Sequence, residues 1–413
     1  MSEIFLNIEP QFKGKYALWH TGFRPFFILA ALFGFVLMLL WSGIFFYNKP
    51  ALGQMYFLIG GISWHAHEMI FGFGGAVVVG FLLTAVKNWT NIPTFSGKPL
   101  ALLAFLWLIG RILPFVQAEG TLFIWLSAFL ECAFWFIIAQ RLTHNILIKK
   151  QYKQFAIIGK VWLFVPAALV FHLGLLNVWH LGVIVGLYSG FYLLLALILT
   201  MARRVMPMFI ERGLNNGFVP ENSIAVDKWS LVLFLIFSIL EIIAQVNYNS
   251  ILGIASGTLA AVQALLHFYR LSLWHHKALW RHPLLMSVFL GYVFFILGFV
   301  MVALYNLFAI GSVSLATHTF AIGALALFAF GMMARIALGH TARNVYAPPR
   351  FLSLVFYALF AAVIFRVFLV LLFPEQTFTW IFIAQLFWLA ACALFVLLYL
   401  PMLILAKKDG TFG

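Results

Sequence analysis

The sequence predicts an all-α fold: a polytopic membrane helical bundle of about twelve transmembrane helices with both ends on the cytoplasmic side. Three observations predict it. Hydrophobic residues make up 65% of the 413-residue chain and charged residues only 9%, against roughly 25% charged in a soluble globular domain. Apolar runs of about 20 residues, the length an α-helix needs to cross hydrocarbon, recur along the chain. They are too long and too uniformly apolar for barrel strands, which alternate. Lys and Arg collect in alternate loops, as membrane orientation demands.

Taken in order, residues 1–24 carry Glu3 and Glu9 between Phe5, Leu6, Ile8, Phe12 and Tyr16, and are expected as a cytoplasmic or interfacial segment. No cleavable signal peptide is expected, because the first apolar run begins near Pro25, is too long and has no small-residue cleavage site. That run, 25–46, is the first span. The second, 62–86, opens on Trp64 and stops at Lys87; the third, 99–117, carries Arg111; the fourth, 121–140, carries Glu131 and stops at Arg141. The fifth, 160–176, is interrupted by Pro166. The sixth, 180–202, stops at Arg203. The seventh, 229–246, carries Glu241, and the eighth is 250–271. The ninth, 284–306, follows Arg281. The tenth, 312–335, contains His318 and ends on Arg335. The eleventh, 351–373, carries Arg366, and the twelfth, 378–404, precedes a cytoplasmic tail, 405–413, with Lys407 and Lys408. All twelve are read as one transmembrane domain spanning 1–413, with the lipid bilayer as its first partner.

With these spans, Lys49 is the only loop cation on one side of the membrane. Arg111 and Arg366 lie within helices, and the remaining Lys and Arg of the chain's 25 all fall on the other side. The asymmetry orients the chain and supports the helix number, because one missed helix would scramble it. It also excludes nucleic acid as the reason for the net charge of +14, since no basic module is concentrated on one soluble face. Cys132 and Cys392 lie inside apolar runs without a CxxC pattern and are expected as buried apolar residues.

Twelve histidines in so apolar a chain divide by depth. His65, His67, His172, His180 and His318 lie toward the outer face. His20, His144, His267, His275, His276, His282 and His340 lie toward the cytoplasm, where His144, His275, His276 and His282 are ordinary interfacial residues. The run Trp64-His65-Ala66-His67-Glu68 opens the second span. Positions i and i+2 on a helix point about 200° apart, so as helical residues His65 and His67 cannot ligate one metal from the same face, whereas a turn at this run would let them converge. His65 and Glu68 lie about 60° apart and are placed to act together, with Glu68 orienting an imidazole without itself touching the metal. Gly72, Gly74, Gly75 and Gly80 follow, and either permit close helix packing or leave a groove for a flat cofactor. Measured to the boundary residues Lys87 and Arg335, His67 and His318 differ in depth by only about 5 Å. Two imidazoles at one depth on separate helices are able to clamp a haem iron, and neutral imidazole also suits copper. Near the cytoplasmic face His20 and Arg24, and His340 and Arg343, pair an imidazole with a guanidinium suited to an anionic group such as a haem propionate. Intramembrane charge is costly and usually purposeful; Arg111 and Glu131 flank the turn between the third and fourth spans and are expected to pair.

In order along nearly the whole chain, Trp19-His20-Thr21-Gly22-Phe23-Arg24-Pro25-Phe26-Phe27, the stretch from Trp64 to Thr90, and later motifs ending with Leu338-Gly339-His340-Thr341 resemble the NnrS family, bacterial haem- and copper-containing membrane proteins linked to the nitric oxide response. Gly22-Phe23-Arg24-Pro25-Phe26-Phe27 is similar to the family's opening segment, and Trp64 through Thr90 to its second helix. Gly110-Arg111, Phe171-His172-Leu173, Arg204-Val205-Met206-Pro207, and Met333-Ala334-Arg335 with Leu338-Gly339-His340-Thr341 resemble further family segments in order. The chain departs from the pattern at Ala202-Arg203, at Thr341-Ala342-Arg343, and at Phe289, where the family often has a histidine; Phe289 cannot ligate a metal. The resemblance implies haem, copper, nitric oxide as a small-molecule ligand and the bacterial inner membrane.

The expected function is therefore a haem-binding, copper-binding inner-membrane protein of the nitrosative stress response. His67 and His318 are the expected axial ligands, with His65 and His172 near a second metal. His20, His340, Arg24 and Arg343 form the alternative site at the opposite face. No catalytic residue is assigned. The rival readings are a transporter for a small anion or metal using Arg111 or Arg366, and a haem–copper reductase-like enzyme. The reductase needs adjacent histidines in mid-membrane, whereas the one adjacent pair, His275-His276, falls in a basic loop.

Overall fold

The computed structural model describes residues 11–47, 54–115 and 121–413; Lys49 and the positions before Gln11 lie outside these. The described residues form twelve principal helices: α1 (Phe23–Tyr47), α2 (Gly60–Thr90), α3 (Lys98–Ile112), α4 (Leu122–Ile148), α5 (Phe155–Leu175), α6 (Gly182–Leu214), α7 (Ile224–Val246), α8 (Ser250–Trp274), α9 (Pro283–Phe308), α10 (Val313–His340), α11 (Leu352–Leu372) and α12 (Thr377–Ile404). Eleven are long and apolar enough to span a membrane. The twelfth, α3, has 15 α-helical residues and continues as a 3-10 turn, Leu113–Phe115. The chain is a multi-pass membrane protein.

Several helices outrun their apolar sequence. α4 extends to Ile148 and α6 to Leu214, through Arg203, Arg204 and Arg212. A helix satisfies its own backbone hydrogen bonds, so it continues into the polar boundary after the apolar run has ended. Pro166 is absorbed inside a continuous α5.

Helices adjacent in sequence pack as antiparallel neighbours, and the bundle closes by α1 against α12 and α2 and by α10 against α9. α2, α9 and α10 are the central elements, burying 72%, 78% and 72% of their most apolar stretches against 33% for α7. Lipid is as apolar as Leu, so close backbone approach rather than hydrophobicity joins such helices. A Cβ on Gly186 would lie 2.6 Å from the backbone of Phe171, so α6 seats directly on α5. That contact fixes the height of the neighbouring His172.

The terminal segments lie side by side at one end of the bundle. Phe12 N donates to Gly410 O (2.8 Å), Ala406 N to Lys15 O (3.0 Å) and Ala17 N to Ile404 O (2.8 Å). The expected interfacial segment thus includes Phe12 and Tyr16 in a short antiparallel pairing with residues 404–411. This is called the terminal end below, and the opposite one the distal end.

Candidate metal and cofactor sites

Two sites sit in the distal half of the bundle. The first is a closed polar network among α2, α3, α4 and α5. His67 places Nδ1 2.9 Å from Glu68 Oε1 and Nε2 2.9 Å from Glu131 Oε2. Arg111 donates from Nη1 to Glu68 Oε2 (3.0 Å) and from Nη2 to Glu131 Oε1 (2.5 Å). All four residues are buried. Carboxylate oxygens only accept, so both ring nitrogens of His67 donate, as an imidazolium does. Two carboxylates, one guanidinium and one imidazolium then leave no net charge in the low-dielectric interior. The expected Arg111–Glu131 pair is present, and Glu68 orients His67.

His172 stands beside this network. Its Nδ1 lies 2.9 Å from Ala168 O and 3.8 Å from Glu131 Oε2. His67, Glu131 and His172 each offer a ligand atom within 4.8 Å of the others, a buried group able to hold a metal ion.

A π-helical turn, Glu68–Gly74, interrupts α2 directly after His67. Such turns insert a residue into the helical ladder and often mark functional sites. Gly72 is required here: a Cβ would lie 2.6 Å from Phe33 and 3.2 Å from Glu68 Oε2. Of the other glycines in the expected groove, Gly75 is covered by Trp135 and Gly80 by Phe27, whereas Gly74 lines the cavity of the second site.

The second site is a cavity of about 560 Å3 among α1, α2, α6, α10, α11 and α12. His65, His318 and Arg366 line it, with Trp41, Trp388 and Leu187 among its apolar walls. Two more π turns flank it: Thr319–Ala326 begins just after His318, and Ile364–Leu369 contains Arg366. His318 Nδ1 bonds Ser314 O at 2.7 Å, which fixes the ring and leaves Nε2 as the free nitrogen. His65 stacks on Trp41, ring centroids 4.6 Å apart. Its Nδ1 is buried without a hydrogen-bond partner, as is Gln385 Nε2 in the same cavity wall. Arg366 donates to Ser314 Oγ (2.9 Å). Orphaned buried polar atoms around an apolar cavity call for an occupant.

The structure therefore separates His67 from His318. His67 does not line the cavity, and both its ring nitrogens are taken by carboxylates. The residue that shares the cavity with His318 is His65. Equal depth does not imply a shared face, and α2 turns His65 and His67 to different sides, as the i, i+2 spacing requires.

The four residues at the terminal end have other work. Arg24 is fully buried and donates to the carbonyls of Leu405 (2.7 Å), Leu403 (3.0 Å) and Gly413 (2.8 Å), closing the end of α12 instead of awaiting a propionate. Arg343 bonds Thr341 O, and burial holds its guanidinium below its ordinary pKa. His20 stacks on Phe412 at 4.0 Å; burial, then the charge of Arg24, lowers its pKa. His340 Nε2 lies 3.3 Å from Asn88 Nδ2. Trp41, Trp388 and Gln385 are cavity residues that sequence reasoning missed, because nothing in a helical apolar run marks which face looks inward.

Compared with protein families, the chain matches one described as NnrS protein over residues 17–407. No curated protein matches the chain.

Proposed function

The chain belongs to the NnrS family, and on that premise we propose that it is a haem-binding protein of the bacterial inner membrane that serves the response to nitric oxide. The observation that carries this reading is the distal cavity, where His65 and His318 face one apolar space that also presents unpartnered polar atoms. The residues fit the group. His65 and His318, from different helices, would hold the iron through imidazole nitrogen, Trp41 and Trp388 would offer apolar walls, and Arg366 would offer a cation to a propionate. When bound, haem supplies an iron centre able to take up nitric oxide. The chain would orient the ligands through Ser314 and Trp41 and surround the group with largely apolar walls.

Copper, the second metal that the resemblance implies, is assigned to His67, Glu131 and His172. Imidazole and carboxylate suit it, and binding would exchange the proton between His67 and Glu131 for the ion. The orientation that fits the basic loops puts both ends in the cytoplasm and the two sites in the outer half of the membrane.

The test is direct. The protein purified in detergent from haem-replete cells is expected to show a Soret band and bound iron. A folded, colourless, iron-free protein overturns the reading in favour of a transporter.

A further inference from the structure

Glu241, on α7, is a buried carboxyl that neither the haem cavity nor the ion-pair network uses. It accepts hydrogen bonds from Tyr192 Oη on α6 (3.3 Å) and from Ser256 Oγ on α8, and the Asn306 side chain on α9 also bonds it. Among the described residues no cation stands within ion-pair distance of it. This distinguishes it from Glu68 and Glu131, each of which is ion-paired with Arg111 and contacts His67.

Glu241 faces its own cavity, of about 250 Å3, with Tyr248, Tyr305 and Asn306 around the other side. Besides Glu241 itself, the polar groups that line it are tyrosine and threonine hydroxyls and the amides of Gln245 and Asn306, from α6, α7, α9, α10 and the turn after α7, and no second charged side chain lines the space. The volume admits several waters, each needing about 30 Å3 and polar partners, which the tyrosines and amides offer.

Both ends of this cavity lead somewhere. Tyr248, in the turn between α7 and α8 at the distal end, is 58% exposed. On the inner side, Tyr188, Phe191, Gln245, Val313 and Thr317 line both this cavity and the one that contains His65 and His318. Thr317 immediately precedes His318. A polar space thus runs from the distal surface past Glu241 to the wall of the larger, apolar cavity.

We infer that Glu241 is a proton-carrying site, linking water at the distal face to the cavity lined by His65 and His318. A proton from water in the smaller cavity binds a Glu241 oxygen, and the carboxyl proton leaves to water on the side of Gln245 and Thr317. One proton enters, one leaves, and no electrons move. An intramembrane carboxyl with polar company and no counter-ion is the group found in proton relays. A carboxyl needed only to accept bonds from Tyr192, Ser256 and Asn306 could be replaced by the Gln amide, whose oxygen accepts equally well. That difference decides the test. The link to redox chemistry rests on the haem reading, because charge added to a metal in a low-dielectric cavity is stabilised by an accompanying proton.

The test has two arms. First, infrared spectra of the full chain in bilayers are recorded as buffer is changed from H2O to D2O. The wild type is expected to show a protonated-carboxyl C=O band that shifts on exchange, and Glu241→Gln to lack it while keeping the wild-type unfolding temperature. A wild-type spectrum without that band, or with a band that does not exchange, overturns the proposal. If Glu241→Gln unfolds, Glu241→Asp, which keeps a carboxyl, takes its place and is expected to retain an exchanging band at a shifted frequency. An unshifted band overturns the assignment. Second, proton uptake is followed with a pH dye as the haem-loaded protein is reduced. Glu241→Gln is expected to slow uptake by about tenfold or more without altering the haem spectrum, and equal rates overturn the link to the cavity. A haem-free protein overturns the haem reading alone, and the first arm still decides whether Glu241 carries an exchangeable proton.

Discussion

His65 and His67 stand two positions apart on α2 and belong to different sites. His65 lines the large distal cavity and stacks on Trp41, whereas His67 stacks on Phe171 at 4.1 Å and sits between the carboxylates of Glu68 and Glu131. The π turn that begins at Glu68 follows directly. One short run of sequence thus serves both candidate sites, and substitutions at the two histidines separate them.

His65→Ala and His318→Ala are each expected to abolish or strongly shift the haem absorbance of inserted protein, because losing an axial ligand changes iron coordination directly. His67→Ala is expected to keep most of the absorbance while lowering stability and copper content. His144→Ala, at an exposed position on the last turns of α4, is expected to change nothing. Absorbance that survives in His65→Ala and His318→Ala but is lost in His20→Ala or His340→Ala would move the site to the terminal end.

Arg111→Leu leaves two buried carboxylates facing only His67, and breaking a buried ion pair in this way costs about 3–5 kcal/mol. The double variant Arg111→Leu/Glu131→Leu leaves His67 and Glu68 as a charge-balanced pair and is expected to recover much of the loss. Thermal unfolding in detergent measures both. A double variant as unstable as the sum of the two single changes would rule out the pairing as the source of stability.

At the terminal end, Arg24→Ala removes the donors that hold the carbonyls of Leu403, Leu405 and Gly413. A lost hydrogen bond to a charged group costs about 1.5–3 kcal/mol, so limited proteolysis is expected to cut the tail faster. Arg24→Lys restores the charge but not the planar fork and is expected to recover only part of the protection.

The same docking is expected to depend on pH through His20. Burial, followed by the charge of Arg24, lowers its folded pKa below the usual value of 6.5. The neutral ring is therefore the form that packs against Phe412 and Phe12. Its contribution is fully present above pH 6.5 and is lost as pH falls toward the folded value, because the unfolded segment binds the proton more readily. Proteolysis of the tail should quicken below that pH in the wild type and lose this dependence in His20→Phe.

The orientation is open to reporter fusions. One placed after Lys49 is expected on the periplasmic side, and ones near Lys150, Asn216 or the C-terminus in the cytoplasm. A periplasmic C-terminus together with a periplasmic reporter after Lys49 would require an odd number of crossings and contradict the side-by-side terminal segments.

What the sequence determined by itself is what depends on neighbours along the chain. A span requires only a length of apolar residues, so the twelve helices were legible one by one, including α2 with its Trp64-His65-Ala66-His67-Glu68 opening. The opposed directions of His65 and His67 were legible too, since they follow from helical pitch, and Arg111 and Glu131 were brought into reach by the short connection between their helices. The rotation of each helix about its own axis was not legible. Membrane helices are apolar on the lipid side and the protein side alike, so periodicity does not mark the inward face. Only the tertiary structure placed His65, rather than His67, in one cavity with His318, covered Gly72, Gly75 and Gly80 of α2 with Phe33, Trp135 and Phe27, and turned Arg24 onto the end of α12. It alone also gathered Tyr192, Ser256 and Asn306 from three helices around Glu241, because contacts between helices far apart in sequence are decided by packing, which no local run of residues encodes.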